Sequence, residues 1–209
     1  MWLLYKGATN YSTDNKYFKG ISRLDELFER ACYYQLFDTF VELGFTPIID
    51  DNINFLNEAN IYEKVVFEKN TFKITLYYQS LPINLTTIKK HTNNLRPDFI
   101  IEFDDLSYVI LDAKYKKLNN IEKYDYENLA LKYLHGIGSK EGGYLKAIAL
   151  LILFPKNETH QSYHSKEEYS IIGNKTVYPF IGSLGLDFDN SDSGLKDVIK
   201  RILENKYIE

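Results

Sequence analysis

The pattern of apolar segments predicts an α/β protein with one mixed β-sheet and helices on both faces of the sheet. Two observations favour this fold class. An amphipathic helix is followed by several strand-like segments, and a second helix then leads into a strand over residues 145–154 that ends in eight apolar residues. An unbroken apolar run is typical of a strand buried on both faces, so helices are expected on each side. The predicted order is α-β-β-β-α-β, followed by further strands and a C-terminal helix.

The composition indicates an ordinary globular protein. Hydrophobic residues make up 44% and charged residues 26% of the 209 residues, which argues against disorder. The net charge of −4 excludes a global basic field, so any nucleic-acid surface has to be local. The single cysteine, Cys32, excludes an internal disulfide and a cysteine-rich zinc site. The longest apolar run is too short to span a membrane, and a cytoplasmic protein of a prokaryotic cell is expected.

Residues 1–20 show little periodicity and are expected to form an N-terminal arm, whereas residues 21–209 contain no linker and are expected to form one domain. A helix is predicted from Ser22 to about residue 43, before Gly44. Its apolar positions follow the helical period: Leu24, Leu27, Phe28, Ala31, Cys32, Leu36, Phe40 and Leu43. Glu29 falls within this arc. A carboxylate on a buried face needs a cation or hydrogen-bond donors, although a core acid paired with an Arg or Tyr is an alternative.

Several further strands and helices are predicted along the chain. They are strands over 61–68 and 71–79 around a turn at Lys69-Asn70, an irregular segment over 80–94, a hairpin within 95–114, a helix over 121–135, a glycine-bearing loop over 136–143, a strand over 145–154, strands near 169–172 and 176–182, and a helix over 193–206.

The hairpin within residues 95–114 contains two runs of β-branched and aromatic residues around Asp104-Asp105. Extending the pairing outward from this turn places Asp98 opposite Asp112. Two facing carboxylates repel each other, but a divalent cation between them would turn the repulsion into binding. Lys114 projects from the same face as Asp112. Two acids and a lysine at one strand end indicate a site for hydrolysing an anionic substrate.

The sequence Pro97-Asp98, a spacer of thirteen residues and then Asp112-Ala113-Lys114 resembles the motif of the PD-(D/E)xK nuclease superfamily. The predicted element order resembles the restriction-endonuclease core, over about residues 21–155. A closer resemblance is to the nuclease domain of McrC-type and related modification-dependent restriction proteins. It rests on the segments Leu27-Phe28-Glu29, Arg96-Pro97-Asp98-Phe99, Leu111-Asp112-Ala113-Lys114-Tyr115-Lys116 and Lys132-Tyr133.

The resemblance implies a Mg²⁺-dependent DNA endonuclease domain of a restriction or antiviral defence system, with Mn²⁺ as a substitute ion. It implies that Glu29, Asp98 and Asp112 bind the metal together with the backbone carbonyl of Ala113. Hard oxygen ligands of this kind suit Mg²⁺. Lys114 would contact the attacked phosphate or the attacking water.

Basic and aromatic residues near the motif are candidates for contacting DNA, although a solvated surface is the alternative for such a run. The candidates are Lys89, Lys90, Arg96, Lys116, Lys117, Lys132 and Tyr133. The glycine loop 136–143 lacks the Lys-Ser/Thr ending of a phosphate-binding loop, so any nucleotide hydrolysis must come from an NTPase partner. A separate DNA-recognition partner and a homodimer are further expectations, since two strands must be cut to break a duplex.

Two alternatives to a DNA endonuclease stay open at this point. One is a nucleic-acid-binding or assembly module that has the nuclease fold and impaired catalysis. The other is a repair or RNA nuclease of the same superfamily. The target sequence and any dependence on DNA modification do not follow from the residues.

Overall fold

A large, mostly antiparallel β-sheet with helices on both faces organises the chain, which confirms the predicted α/β class. The computed structural model describes residues 24–48, 61–87, 95–141, 147–155, 161–162, 166–171, 173–188 and 194–207. The predicted N-terminal arm, the Ser22 cap, Lys89 and Lys90 lie outside these residues. No helix in these ranges is both long enough and apolar enough to cross a membrane.

Ten strands occur in the described ranges. They are β1 (Thr46–Ile48), β2 (Lys64–Lys69), β3 (Phe72–Tyr78), β4 (Leu85–Thr87), β5 (Phe99–Phe103), β6 (Tyr108–Ala113), β7 (Ile137–Ser139), β8 (Ala147–Pro155), β9 (Gln161–Ser162) and β10 (Phe180–Leu186). Eight of them form one sheet in the order β1-β2-β3-β5-β6-β8-β10-β9, and β4 pairs with β7 separately. The pairings β6-β8 and β8-β10 are parallel and the others are antiparallel, so the sheet is mixed, as predicted.

The helical elements divide between the two faces of the sheet. They are α1 (Leu24–Glu42), α2 (Leu118–Tyr124), α3 (Tyr126–Leu129), a π-helical turn (Ala130–Leu134), a 3₁₀ turn (Glu167–Tyr169) and α4 (Leu195–Tyr207). Side chains of α1 and α4 pack with one set of strand residues, and those of α2, α3 and the π-helical turn pack with the alternate set. Because β8 contributes to both clusters, its apolar run is buried on both sides, which explains the absence of polar alternation.

The β5–β6 hairpin has the predicted register. The Phe103 amide donates to the Ser107 carbonyl at 2.9 Å, and Phe99 pairs with Leu111 at the far end of the ladder. One further step outward places Asp98 opposite Asp112. Alternation along β6 puts Asp112 on the same face as Tyr108 and Ile110, which pack with α2, α3 and the π-helical turn.

The first helix corresponds to the predicted one, but its buried arc is narrower than expected. Leu24 and Leu27 are 61% and 37% exposed. At 100° per residue Leu27 lies on the opposite side of the helix from Leu36, which is at the centre of the buried arc. Tyr33, which the apolar pattern omitted, is buried instead. Glu29 lies within the arc, as predicted, and is partly buried.

The second helix and the later strands differ from their predicted bounds. The helix predicted over 121–135 begins at Leu118 and is divided into α2, α3 and the π-helical turn. The strand predicted near 169–172 is wrong for its described part. Tyr169 ends the 3₁₀ turn, and Gly173 donates to the Ser170 carbonyl at 2.9 Å in a tight turn, while residue 172 lies outside the described residues. The strand predicted over 176–182 begins only at Phe180, since Pro179 has no amide hydrogen for a ladder bond. The C-terminal helix is confirmed as α4.

An ion pair between Lys206 of α4 and Asp105 of the β5–β6 turn joins the C-terminal helix to the hairpin. Partial burial acts to raise the pKa of Asp105, but hydrogen bonds from Lys206 and Ser107 outweigh it and hold the pKa at about 2. Because the folded pKa lies below the ordinary value of 3.8, this interaction stabilises the protein above pH 4 and is lost as the pH falls towards 2.

We therefore expect Lys206→Ala to lower the free energy of unfolding near pH 7 by less than about 1 kcal/mol, because the Asp105 side chain is half exposed and water screens the pair. Urea denaturation at low salt measures the effect. The loss should shrink as the pH falls from about 4 to 2. The matched control is Lys200→Ala, whose Nζ lies 3.8 Å from Glu204 on the same helix; an equal, pH-independent loss in both variants contradicts the prediction.

Candidate active site

The hairpin and α1 bring the four predicted catalytic residues to one end of the sheet. Asp98 immediately precedes β5, Asp112 is the penultimate residue of β6, and Lys114 directly follows β6. Glu29 lies in the second turn of α1. The charges of Asp112, Glu29 and Lys114 all act on the Asp98 carboxyl. Three acidic side chains and one lysine therefore form one electrostatic cluster at this end of the sheet.

Asp112 is a buried charge whose oxygens are held by two different groups. Its side chain is 1% exposed. The Tyr133 hydroxyl donates to Oδ1 at 2.7 Å, and Lys114 Nζ forms an ion pair with Oδ2. Apart from that ion pair, Oδ2 has no hydrogen-bond partner among the described residues. A buried carboxylate without donors would be costly, so Tyr133 and Lys114 are needed to keep Asp112 in place.

Asp98 is held by the backbone of the neighbouring strand. Its Oδ2 accepts a hydrogen bond from the Ala113 amide at 2.7 Å. Burial, followed by the charges of Asp112 and Glu29, raises the pKa of Asp98 to about 7, although Lys114 and the Ala113 amide act in the opposite direction. Burial and the two neighbouring carboxylates together therefore keep a proton on Asp98 at pH values well above the ordinary range of an aspartic acid.

Lys114 keeps its positive charge in this cluster. Burial acts to lower the pKa of Lys114, but the nearby Asp112, Asp98 and Asp125 carboxylates outweigh it and raise the pKa above its ordinary value. Its Nζ also lies 3.4 Å from the backbone carbonyl of Ala113. The ammonium group thus remains protonated beside the oxygens predicted to bind a metal.

Glu29 is fixed by residues at the end of β3. Gln79 Nε2 donates to Glu29 Oε1 at 2.6 Å, and the Tyr78 hydroxyl also hydrogen-bonds to Glu29. Burial and this carboxylate together raise the pKa of Tyr78. The contact with Tyr78 agrees with the alternative of an acid paired with a tyrosine, but Glu29 also lies near enough to Asp98 to act on its pKa.

Tyr133 reaches Asp112 from the π-helical turn. This turn follows α3 directly, and its wider geometry changes the direction of the side chains that follow. Lys132 Nζ donates to the Tyr133 hydroxyl at 2.9 Å and lies 4.4 Å from the centroid of the ring. A chain of hydrogen bonds therefore runs from exposed Lys132 through Tyr133 to buried Asp112.

The predicted DNA-contacting residues fall into different environments. Arg96, Lys117 and Lys132 are exposed. Lys116 is paired with Asp125, whose two carboxylate oxygens lie 2.9 and 3.0 Å from its Nζ. Asp125 neutralises Lys116, which is exposed as well. Arg96 and Lys132 are hydrogen-bonded to Gln79 and Tyr133, the residues that contact Glu29 and Asp112.

The oxygen ligands at this site suit a hard divalent ion, although they do not form a ready-made metal site. In the part of the chain that the structure describes, no three Asp, Glu, His or Cys side chains are arranged to hold a metal ion. Each carboxylate instead has a donor of its own. Burial, followed by the charges of Asp112 and Glu29, raises the pKa of Asp98, and a cation would relieve the repulsion among these carboxylates. Carboxylates and a backbone carbonyl are the ligands that Mg²⁺ prefers.

Three residues of the site do not stand out in the sequence. Gln79 contacts Glu29 across fifty positions of the chain, Tyr78 does so from the adjacent position, and Asp125 pairs with Lys116. No motif marks Gln79 or Tyr78, since both end an ordinary strand pattern. Asp125 lies within the single helix predicted over 121–135, and only the structure shows that the helix is interrupted there.

Comparison with known proteins adds a distant structural likeness. No protein-family model matches the chain, and no curated protein matches it. Among solved structures, it is similar to a chain in the refined half-complex from a tetradecameric assembly of Thermococcus gammatolerans McrB AAA+ hexamers with bound McrC, at 12% identity and a TM-score of 0.40. The likeness covers 88% of this chain and 33% of that chain, so this chain spans about a third of its length.

The hydroxyl of Tyr133 should be necessary for stability as well as for the site. We expect Tyr133→Phe to lower the free energy of unfolding by about 1–3 kcal/mol, because Oδ1 of buried Asp112 loses its donor. Chemical denaturation measures this loss. The matched control is Tyr108→Phe, since Tyr108 is equally buried in the same cluster but its hydroxyl has no hydrogen-bond partner among the described residues. Equal losses in the two variants contradict the assignment.

The raised pKa of Asp98 predicts a stability that falls with rising pH in metal-free protein. The folded state binds a proton more tightly than the unfolded state, whose ordinary pKa is 3.8, so stability decreases between about pH 4 and pH 7. Asp98→Asn removes the charge and keeps an oxygen for the Ala113 amide. In EDTA at pH 8 we expect this variant to be more stable than the wild type by on the order of 1 kcal/mol.

Thermal or urea unfolding over this pH range measures the effect. Asp104→Asn serves as the control, because Asp104 is an exposed acid at the hairpin turn that accepts a bond from the Lys73 amide. If the free energy of unfolding of the wild type and of Asp98→Asn changes with pH in the same way, the prediction for Asp98 is contradicted.

Proposed function

We propose that this chain is a Mg²⁺-dependent DNA endonuclease domain with a restriction-endonuclease-like core over about residues 21–155, similar to the McrC-type nucleases. The observation that carries this proposal is the convergence of Asp98, Asp112 and Lys114 on adjoining strand ends, with Glu29 supplied by a helix. The PD-(D/E)xK resemblance requires that these residues lie together. A chance occurrence of Asp-x-Lys on a strand would give no reason for an acid from a helix to lie beside it.

The acids and the lysine have separate roles in this proposal. Glu29, Asp98, Asp112 and the carbonyl of Ala113 would hold the ion. Bound there, Mg²⁺ would supply neutralisation of charge on the phosphate and a lowered pKa for a nearby water. Lys114 supplies a permanent positive charge at the edge of the carboxylates, where it would meet a phosphate oxygen whose charge grows during hydrolysis.

The remaining residues hold these groups in position. Tyr133 donates to Asp112 and fixes the plane of its carboxylate. The Ala113 amide does the same for Asp98, so the backbone of β6 carries one acid and orients the other. Such preorganisation by packed elements, rather than by a loop, favours a catalytic role over a purely structural one.

A nucleic acid is the substrate that the surrounding surface supports. The exposed cations Arg96, Lys117 and Lys132 provide local positive charge in a chain with a net charge of −4. Contacts of this kind address phosphates rather than bases, so they suit DNA and RNA alike. We propose DNA because of the McrC-type resemblance of the motif segments, and a repair or RNA nuclease remains the alternative within the same chemistry.

The restriction-system assignment implies partners that supply what this chain lacks. Nucleotide hydrolysis would come from an NTPase partner, because the glycine loop 136–143 lacks a phosphate-binding ending. Recognition of a target or a modified base would come from a DNA-recognition partner. Two active sites are needed to cut a duplex, so we propose pairing with a second copy or through the partner.

Incubation of a supercoiled plasmid with the protein and Mg²⁺ or Mn²⁺ tests the activity. We expect cleavage by the wild type, none in EDTA, and a rate that falls by about 10²-fold or more in Asp112→Asn and Lys114→Met. Asp112→Asn removes a charged ligand of the ion, and Lys114→Met removes the positive charge that acts on the phosphate. Lys175→Met is the control, since Lys175 is an exposed lysine paired with an acid elsewhere on the surface. Circular dichroism verifies that each variant is folded.

The other outcomes discriminate among the alternatives. Cleavage that survives both substitutions shows that the site is assigned wrongly. Duplex binding without cleavage by the wild type supports the impaired binding or assembly module. Preferential cleavage of a single-stranded RNA tested in parallel supports the RNA nuclease.

A further inference from the structure

Gln79 connects an exposed arginine to one of the acids of the site. Its Nε2 donates to Glu29 Oε1 at 2.6 Å, and its Oε1 accepts from Arg96 Nη2 at 3.0 Å. The two partners lie on opposite sides of one side-chain amide. A continuous hydrogen-bonded path therefore runs from the Arg96 guanidinium at the surface to the Glu29 carboxylate.

The chemistry of the two partners permits one orientation of the amide. A guanidinium can only donate and an ionised carboxylate can only accept, so a reversed amide would place donor against donor and acceptor against acceptor. The backbone supports the same position. Gln79 has a φ of 48°, which non-glycine residues rarely adopt. Its backbone N–H donates to the backbone carbonyl of Asp98 at 2.8 Å. Unusual backbone of this kind is concentrated at functional sites.

We propose that Gln79 is a positioning residue that couples the binding of a nucleic-acid phosphate at Arg96 to the binding of a divalent ion at Glu29. The inference rests on the proposed function and extends it by a means of coordinating substrate and metal. A guanidinium has five N–H donors, so Arg96 can bind a phosphate while it retains its bond to Gln79. A phosphate that orders Arg96 also orders Gln79, and Gln79 then holds Glu29 in one position.

Binding measurements without catalysis test this coupling. The affinity for a short DNA duplex is measured by fluorescence anisotropy in EDTA and in Ca²⁺, a hard cation with the same preference for oxygen ligands. The affinity for Ca²⁺ is measured by calorimetry with and without the duplex. Coupling between two binding sites is reciprocal, so the factor by which Ca²⁺ raises the affinity for the duplex must equal the factor by which the duplex raises the affinity for Ca²⁺. For the wild type we expect this coupling factor to be roughly 5 to 150.

Two variants separate the side chain from the backbone. Gln79→Gly keeps the backbone conformation, because glycine adopts a positive φ readily. Gln79→Asn keeps an amide and tolerates this conformation, but it is one methylene shorter and cannot span both partners. Asn70→Gly is the matched control: Asn70 has a φ of 56° at the turn that precedes β3, at the opposite end of the strand from Gln79.

In both Gln79 variants the coupling factor should fall towards unity, while Asn70→Gly retains the wild-type factor. In EDTA, duplex affinity should change much less, since Arg96 remains at the surface. An unchanged factor in Gln79→Gly and Gln79→Asn overturns the inference and leaves the proposed function intact. A wild-type protein whose duplex affinity does not respond to Ca²⁺ also overturns the inference, and the plasmid assay shows independently whether the nuclease proposal holds.

Discussion

The buried carboxylate of Asp112 is the constraint on which the rest of the site depends. It is buried near the end of the central strand β6, where an uncompensated charge would cost several kcal/mol. The protein satisfies it from two directions, with the Tyr133 hydroxyl from the π-helical turn and the Lys114 ammonium from the same strand. Both partners lower the cost of burying this charge, so the interaction that places Lys114 beside the acids also contributes to the stability of the sheet.

The acids around Asp112 are arranged at the expense of stability in the absence of a cation. Asp98 and Glu29 add negative charge beside Asp112, and burial together with the charges of Asp112 and Glu29 raises the pKa of Asp98. Natural cores rarely retain such repulsion without a functional reason. The single ammonium of Lys114 compensates only part of the charge. This imbalance distinguishes the site from a structural ion pair, in which each charge has its own counter-ion.

The site also joins the two layers of helices. Glu29 belongs to α1 on one face of the sheet, whereas Tyr133 follows α3 on the other. The strand ends between them carry Asp98 and Asp112. A movement of either helical layer relative to the sheet would therefore change the distances among the acids. Gln79 directly follows β3 and bonds to Glu29, so it links α1 to the end of that strand.

The hairpin and its register follow from the order of the residues, because the strand period and a polar turn specify which residues face each other. The pattern therefore predicts that Asp98 lies opposite Asp112, with Lys114 on the same face, and that Glu29 lies inward on a helix. The neutral groups that hold these charges follow from the packing of distant segments. Gln79 and Tyr133 reach the acids across long separations in the chain, one from an unusual backbone angle and the other from a π-helical turn. Neither feature has a periodic signal, since both depend on how the helices pack against the sheet.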